Sequence, residues 1–230
     1  MKLAVMQPYF FPYIGYFQLI RAVDKFVFYD DVNFIKKGWI NRNRILLNNQ
    51  AAYITVQLKG ASQFKQINCV EFTDNRGKLK KTIEQAYKKA PHFNSVWPVI
   101  NDCLDLKTNF ISELAIHSVV QVSNYLNLNT LFETSSIHYP GTKNLKRAER
   151  LKEICRNNNA SQYINPIGGT ELYGKDDFTP IGVDLYFIKS KDTRYAQYLN
   201  EFVPGLSIID VMMFNSVVAI KSLLNNYELI

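Results

Sequence analysis

The sequence predicts an α/β fold: a three-layer, Rossmann-like, mostly parallel sheet carrying an antiparallel β excursion and a helical insertion. Three observations predict it. The first thirty residues read as strand, tight turn, helix and strand, which is a βαβ unit. Further on, short apolar runs alternate with helical periodicity, the pattern of a parallel sheet with right-handed crossovers. A hydrophobic content of 47% over 230 residues is enough to bury a full core. One elaborated domain over 1–230 is the economical reading, with residues 45–72 as the β excursion and 76–128 as the helical insertion. No repeat, low-complexity tract or linker divides it.

The opening unit organises the rest. Lys2-Leu3-Ala4-Val5-Met6 is a short apolar run of the kind a buried strand shows. Pro8 and Pro12 then bracket an aromatic turn, and Tyr13 to Ile20 carry apolar residues at helical spacing. Lys25-Phe26-Val27-Phe28-Tyr29 is the second strand and delivers Asp30 and Asp31 at its C-terminal end. In open α/β sheets ligands sit beyond the carboxyl ends of the strands, so Gln7, Tyr9, Tyr13, Gly15 and Tyr16 are candidate site residues. Gly15 would let backbone approach a ligand at the helix N-terminus, which favours anions. The alternative is that these aromatic residues only pack into a core.

Asp30 to Ile45 reads as a loop leading into a strand, with Lys36, Lys37, Trp39, Arg42 and Arg44 within it. Arginine's planar fork suits phosphate or carboxylate, and tryptophan offers a stacking face. The alternative is an exposed hairpin bearing charges against edge pairing. Ile45-Leu47, Tyr53-Leu58 and Ile67-Phe72 then read as strands on the edge of the sheet, punctuated at Asn48-Asn49-Gln50 and Lys59-Gly60. Helical stretches follow over 78–89, 96–106 and 109–126, interrupted at Pro91 and Pro98. Thr130–Ile137, Gln162–Asn165 and Val183–Ile188 are the remaining core strands, and 144–157 is an amphipathic helix. Thr170–Phe178 reads as a short helix. Ser207-Ile208-Ile209-Asp210 resembles a capping box opening a helix that runs to about Leu224. Gly168-Gly169 follows a strand but lacks both the dinucleotide fingerprint and the P-loop lysine, so a phosphate-facing backbone and a plain turn stand level.

Composition narrows the function classes. Three scattered cysteines, Cys69, Cys103 and Cys155, fit a reducing cytoplasm, and with three scattered histidines they match no metal motif. No metal site is expected. No apolar run approaches the eighteen or so residues of a membrane span, and no signal-peptide pattern opens the chain. The formal charge of +7 suits an anionic partner. The basic residues are dispersed over helix faces without a recognition helix or an RNA-binding aromatic motif, so nucleic acid is not expected. A small anionic substrate such as a nucleotide-linked sugar explains the balance. Nothing in the sequence fixes an oligomeric state.

With these residues laid out, the chain resembles the WbqC-like protein family of bacterial O-antigen and polysaccharide gene clusters. Met6 to Phe17, Lys36 to Ile45, Tyr163 to Gly169 and Phe202 to Asp210 carry the resemblance, which covers nearly the whole length. One departure is Asn165-Pro166-Ile167, where the family tends to have Ser-Gly followed by Pro or Gly. If that loop sets the acceptor, the substrate differs from the relatives'. The resemblance implies an aminoacyl (glycine) or acyl transferase that forms an amide on a nucleotide-linked amino sugar. It also leaves a rival, a non-catalytic protein that binds the nucleotide-sugar or a partner enzyme. The acyl donor is open: glycine activated by ATP, or an acyl or aminoacyl thioester.

The strand followed by Tyr13-Ile14-Gly15-Tyr16 also resembles the start of adenylate-forming nucleotidyltransferases, with tyrosines where those enzymes carry histidines. On that reading Tyr13 and Tyr16 are catalytic candidates. Lys36, Lys37, Arg42 and Arg44 stabilise phosphate charge, and Asp30 or Asp31 holds the amine or accepts its proton.

Overall fold

The computed structural model describes residues 1–145, 147–198 and 201–230. The chain opens with strand β1 (Lys2–Met6), helix α1 (Ile14–Ala22) and strand β2 (Lys25–Phe28). These strands pair in parallel, Leu3 opposite Lys25 and Met6 opposite Phe28. Two ribbons follow: β3 (Arg42–Leu47) with β4 (Gln50–Thr55), and β5 (Leu58–Lys59) with β6 (Glu71–Phe72). Asn48 and Asn49 join β3 to β4 with φ of 50° and 63°, the left-handed pair that a tight hairpin requires. Helices α2 (Arg76–Tyr87), α3 (Phe93–Asp105) and α4 (Ile111–Tyr125) come next, then β7 (Leu131–Thr134) and a single turn, α5 (Ser135–His138). The chain closes with α6 (Arg147–Asn157), β8 (Gln162–Pro166), α7 (Lys175–Phe178), β9 (Asp184–Ser190), α8 (Ile208–Phe214), α9 (Val217–Leu224) and β10 (Tyr227–Leu229).

The central sheet has the order β10-β9-β8-β1-β2-β7, parallel throughout except for β10. The chain therefore builds from β1 towards β7 on one side, then returns to lay β8 and β9 on the other. The direction reverses between β1 and β8, and in such sheets the loops leaving the strands part there.

Strand residues alternate between two cores, so the strands read as continuous apolar runs. Leu3, Val5, Val27, Tyr163 and Leu185 pack with Leu151 and Ile154 of α6 and Phe178 of α7. Ala4, Phe26, Phe28, Ile164 and Ile188 face the other way, towards Phe17 and Ile20 of α1 and Ile220 and Leu224 of α9. One buried polar residue ties this second face together. The Gln18 amide donates to the carbonyls of Leu223 (2.9 Å) and Asn226 (3.1 Å) and accepts from Ser190 Oγ at 2.5 Å. No helix among the described residues is long and apolar enough to cross a membrane.

The mixed α/β architecture with a mostly parallel sheet agrees with the sequence reading. Several local expectations are corrected. The 45–72 segment is not an extension of the sheet edge, because its two ribbons stand apart from the six-stranded sheet, and Ile67–Cys69 is a 3₁₀ turn. Pro98 lies inside α3, where burial of Val96, Ile100, Cys103 and Leu104 outweighs one missing backbone bond. The strand expected over Thr130–Ile137 stops at Thr134, since Ser135 and Ser136 turn towards Asp30 and Asp31. Within the helix expected over 144–157, Lys146 lies outside the described residues and the helix begins at Arg147.

The helix expected over 208–224 is two helices. Asn215 is extended and Ser216 caps the second, accepting from the Ala219 amide at 3.2 Å. Ser207 does cap α8, accepting from the Ile209 amide at 3.2 Å, but Asp210 faces elsewhere and no reciprocal box forms.

Truncating Ile164, fully buried in the middle of the sheet, should lower stability by about 2–5 kcal/mol in urea denaturation. Leu131→Ala, on the β7 edge at 63% exposure, should change it by less than about 0.5 kcal/mol.

Candidate functional site

The loop leaving β1 is held by three other parts of the chain. The Phe10 amide donates to the Trp39 carbonyl at 3.0 Å, and the Phe11 amide to Ser118 Oγ of α4 at 3.1 Å. Asn43 Nδ2 of β3 donates to the carbonyls of Phe10 (3.2 Å) and Phe11 (2.8 Å). Ser207 Oγ adds a second donor to the Phe11 carbonyl at 2.7 Å, and the Ile208 amide reaches the Pro12 carbonyl at 2.8 Å. Phe11 adopts a left-handed φ of 40°, a conformation that only such bracing makes tolerable for an aromatic residue. Both phenylalanines are fully buried. Three of the four stretches singled out in the sequence thus meet at one backbone turn.

That turn aims α1 into a cleft at the end of β9. A cavity of about 300 Å³ is bounded by Tyr13, Gly15, Ser190, Lys191, Tyr195 and Pro204. It opens past Arg194 and Glu201 into a shallower groove of about 690 Å³. A Cβ on Gly15 would lie 2.9 Å from Ser190 Oγ and 2.8 Å from the Tyr13 ring, so only glycine fits without displacement. The first turn of α1 has no side-chain cap and no acidic residue. The Tyr16 amide is taken by the Tyr13 carbonyl at 3.1 Å. The helix dipole still favours an anion, and Lys191, 3.9 Å from Glu228, adds a positive charge to the lining. Asp192, also in the lining, pairs with Arg194 at 3.1 Å.

Tyr9, Tyr13 and Tyr16 cluster beneath this turn, the rings of Tyr9 and Tyr16 being 5.5 Å apart. Burial pushes the Tyr9 hydroxyl up to about 12, with Tyr13 adding to it. Burial also raises Tyr13, and it lifts Tyr16 well above the usual tyrosine range. All three keep their protons at neutral pH. Tyr16 is 2% exposed and donates to the Gln7 carbonyl at 2.8 Å, so it supports the loop from behind rather than facing the cleft.

The far wall of the cleft, Tyr195 with residues 201–206, is tied to the core by a buried carboxylate. Asp210 is fully buried and accepts from Tyr195 Oη, Gln197 Nε2 and Tyr87 Oη, each at 2.7 Å. Burial raises its pKa, and the three hydrogen bonds offset part of that rise. Gln197 also exchanges bonds with the Val203 backbone, 3.2 Å to the carbonyl and 2.8 Å from the amide.

Asp30 and Asp31 lie at the end of β2, which β1 and β8 separate from β9. Both are 4% exposed. Asp31 accepts from Arg150 Nη2 of α6 at 2.6 Å and from Ser135 Oγ at 2.5 Å. Arg150 is itself 3% exposed, donates to Thr142 Oγ1 at 3.1 Å and lies over the Tyr29 ring at 4.7 Å. Asp31 is therefore one half of a closed ion pair. Asp30 accepts from the Ser136 amide at 3.0 Å and from Ser136 Oγ at 2.7 Å.

The basic loop stands on the β3–β4 ribbon. Lys36 and Lys37 are exposed. Arg42 lies over the Tyr53 ring at 4.7 Å, donating through Nε to the Gly38 carbonyl at 3.1 Å and through Nη2 to the Lys37 carbonyl. Trp39 stacks on Tyr53 with centroids 6.4 Å apart. Arg44 sits over Trp39 at 5.8 Å and donates to the Gly205 carbonyl at 2.8 Å, which braces the cleft wall. Both guanidiniums thus hold backbone. Gly168 faces open space, whereas a Cβ on Gly169 would lie 2.3 Å from Asn165 Nδ2.

Sequence reasoning missed Lys191, Ser135, Ser207 and Asn165 as parts of these arrangements. Ser207 was read as a cap alone, and Asn165 was singled out only as part of the departure at Asn165-Pro166-Ile167.

A family model for the WbqC-like protein family matches residues 7–222. The chain belongs to the WbqC-like protein family. It is also similar to an uncharacterized protein of Mycobacterium tuberculosis, Rv1507c, with 28% identity over 220 residues, 93% of either chain. No solved structure matches. The family segment spans the β1 turn, the β3 ribbon, the β8 turn and the cleft wall.

Two predictions follow from the buried charges. Arg150→Met strands the Asp31 carboxylate and should cost about 3–5 kcal/mol, part of which Asp31→Asn in the same chain should restore. For Asp210, a raised native pKa means its contribution is fullest below about pH 3.9 and is lost as pH rises through the native value. The stability of the natural protein relative to Asp210→Asn should therefore decline from pH 4 upward, as read by urea denaturation across pH.

Proposed function

We propose that this protein is a transferase that forms an amide on a nucleotide-linked amino sugar for surface-polysaccharide assembly, transferring glycine or another acyl group. On this reading the βαβ start is Rossmann-like and used as nucleotidyltransferases use theirs. The observation that carries the proposal is the uncapped, acid-free N-terminus of α1. It opens into a cleft beside Lys191, where Gly15 lets this turn pack directly against the Tyr13 ring and Ser190. A phosphate of the nucleotide, or the carboxylate to be activated, is the ligand such a helix end favours.

The residues divide by role. Tyr13 lines the cleft and donates a hydrogen bond, and Gly15 and Lys191 hold the anion. Gln7, Tyr9 and Tyr16 shape the turn, while Trp39, Arg42 and Arg44 keep the ribbon and the cleft wall in place. Lys36 and Lys37, exposed on the same loop, attract the anion at longer range. Gly168 and Gly169 form the turn beyond β8, at the reversal in strand order. Catalysis is by positioning: the amine of the acceptor attacks the activated acyl carbon and the leaving group departs towards the positive helix end.

A second reading has its own support. Tyr9, Tyr13 and Tyr16 all stay protonated, and Asp31 is locked to Arg150, so none of these supplies a base at neutral pH. That favours a non-catalytic protein that binds the nucleotide-sugar.

Mass spectrometry separates the two. Incubating a uridine-diphosphate-linked amino sugar with the protein, glycine and ATP, and in parallel with acyl thioesters, should give an amide product in one arm. Gly15→Val should lower its rate about a hundredfold. Saturable binding without product in either arm would instead favour the binding reading.

A further inference from the structure

We infer that the end of β2 carries a second pocket, which binds a small molecule through a protonated primary amine with Asp30 as its counter-ion. A cavity of about 460 Å³ lies between the ends of β2 and β7 and the flank of α4. Three observations give it a chemistry.

The first is the charge on Asp30. Its carboxylate forms part of the wall and is 4% exposed. Unlike Asp31, it makes no ion pair among the described residues. The proton of Ser135 Oγ goes to Asp31 at 2.5 Å, the closer of its two carboxylates. Asp30 is left with the Ser136 amide and hydroxyl, one donor to each oxygen. Asp210 is likewise held by neutral donors, but Asp30 borders a cavity from which a ligand's cation can reach it.

The second is Ser112, which is 3% exposed, lines the cavity and makes no side-chain hydrogen bond among the described residues. On the same helix Ser118 and Ser123 donate back to the carbonyls of Ala115 and Val119. Ser112 instead presents a hydroxyl that a ligand can satisfy, and Asn68 stands in the same wall.

The third is the rest of the lining. Ile116, Val120 and Ile137 give an apolar side for a carbon skeleton. Glu113 is the other carboxylate, neither lysine nor arginine contributes, and His117 in the same lining faces Asp102 at 3.7 Å. Phosphate is disfavoured here, the reverse of the α1 helix end. The shared chemistry of an amino sugar and an amino acid fits: an ammonium on Asp30, and polar groups on Ser112 and Asn68. The pocket stands on these contacts whatever reaction the cleft performs.

Calorimetric titration of the full chain with glucosamine, with glycine and with N-acetylglucosamine tests the assignment. The result expected is saturable binding of one or both amines and none of the acetylated sugar, whose nitrogen carries no charge. Asp30→Asn should weaken the amine about thirtyfold or more. Ile137→Trp, at a rim position 72% exposed, should block the mouth and abolish binding without touching the Asp30 contacts. The rim variant decides the matter where Asp30→Asn does not fold. Failure of both amines to bind, equal binding of N-acetylglucosamine, or undiminished binding to either folded variant would overturn the inference.

Discussion

The turn at Phe10-Phe11-Pro12 is the constraint on which the rest of the molecule depends. Its amides and carbonyls are claimed by β3, by α4 and by the cap of α8, which lie far apart in the chain. Each bond is worth about 1 kcal/mol net, but leaving any of these buried groups unpaired costs about 1–3 kcal/mol. The consequence is specificity of arrangement more than bulk stability. Because the turn is fixed from three directions, α1 can leave it in one direction only, with its N-terminus beside Ser190.

The strand ends divide into two electrostatic regimes. At β1 and β9 the surroundings are a bare helix N-terminus, Lys191 and an Asp192 already paired with Arg194. At β2 the wall is acidic, and the one arginine that reaches it is consumed by Asp31. A parallel sheet brings all these loops to one edge, so the two regimes stand side by side on one scaffold. Asp210 adds a different use of buried charge. Among the described residues no cation pairs with it, and three neutral donors hold it, joining the cleft wall to α8 and α2 at the expense of a raised pKa.

Much of the fold was legible because period and punctuation agree locally. Leu3-Ala4-Val5 and Phe26-Val27-Phe28 are apolar on both sides, as two-sided burial requires, and Asn48-Asn49 marks its hairpin. What one sequence does not carry is the partner of each element. The β3–β4 ribbon has a strand pattern whether it joins the sheet or, as here, pairs only with itself. The same limit applies at the site. Arg42 and Arg44 have the residue type for phosphate, yet their donors face the carbonyls of Gly38 and Gly205. Asp30 and Asp31 are adjacent and chemically identical, and only Arg150, 119 positions away from Asp31, distinguishes them. Ser135 and Ser136 looked like the end of a strand because nothing nearby in the chain reveals the carboxylates they turn to meet.

On the proposed function, the N-terminus of α1 receives the anionic part of the ligand. The most direct measurement follows the backbone amide resonances of ¹⁵N-labelled protein during titration with a uridine-diphosphate-linked amino sugar. The account predicts saturable shifts at Ile14, Gly15 and Lys191 that uridine diphosphate alone reproduces. Saturable shifts confined to other regions, with these three amides unmoved, would contradict it.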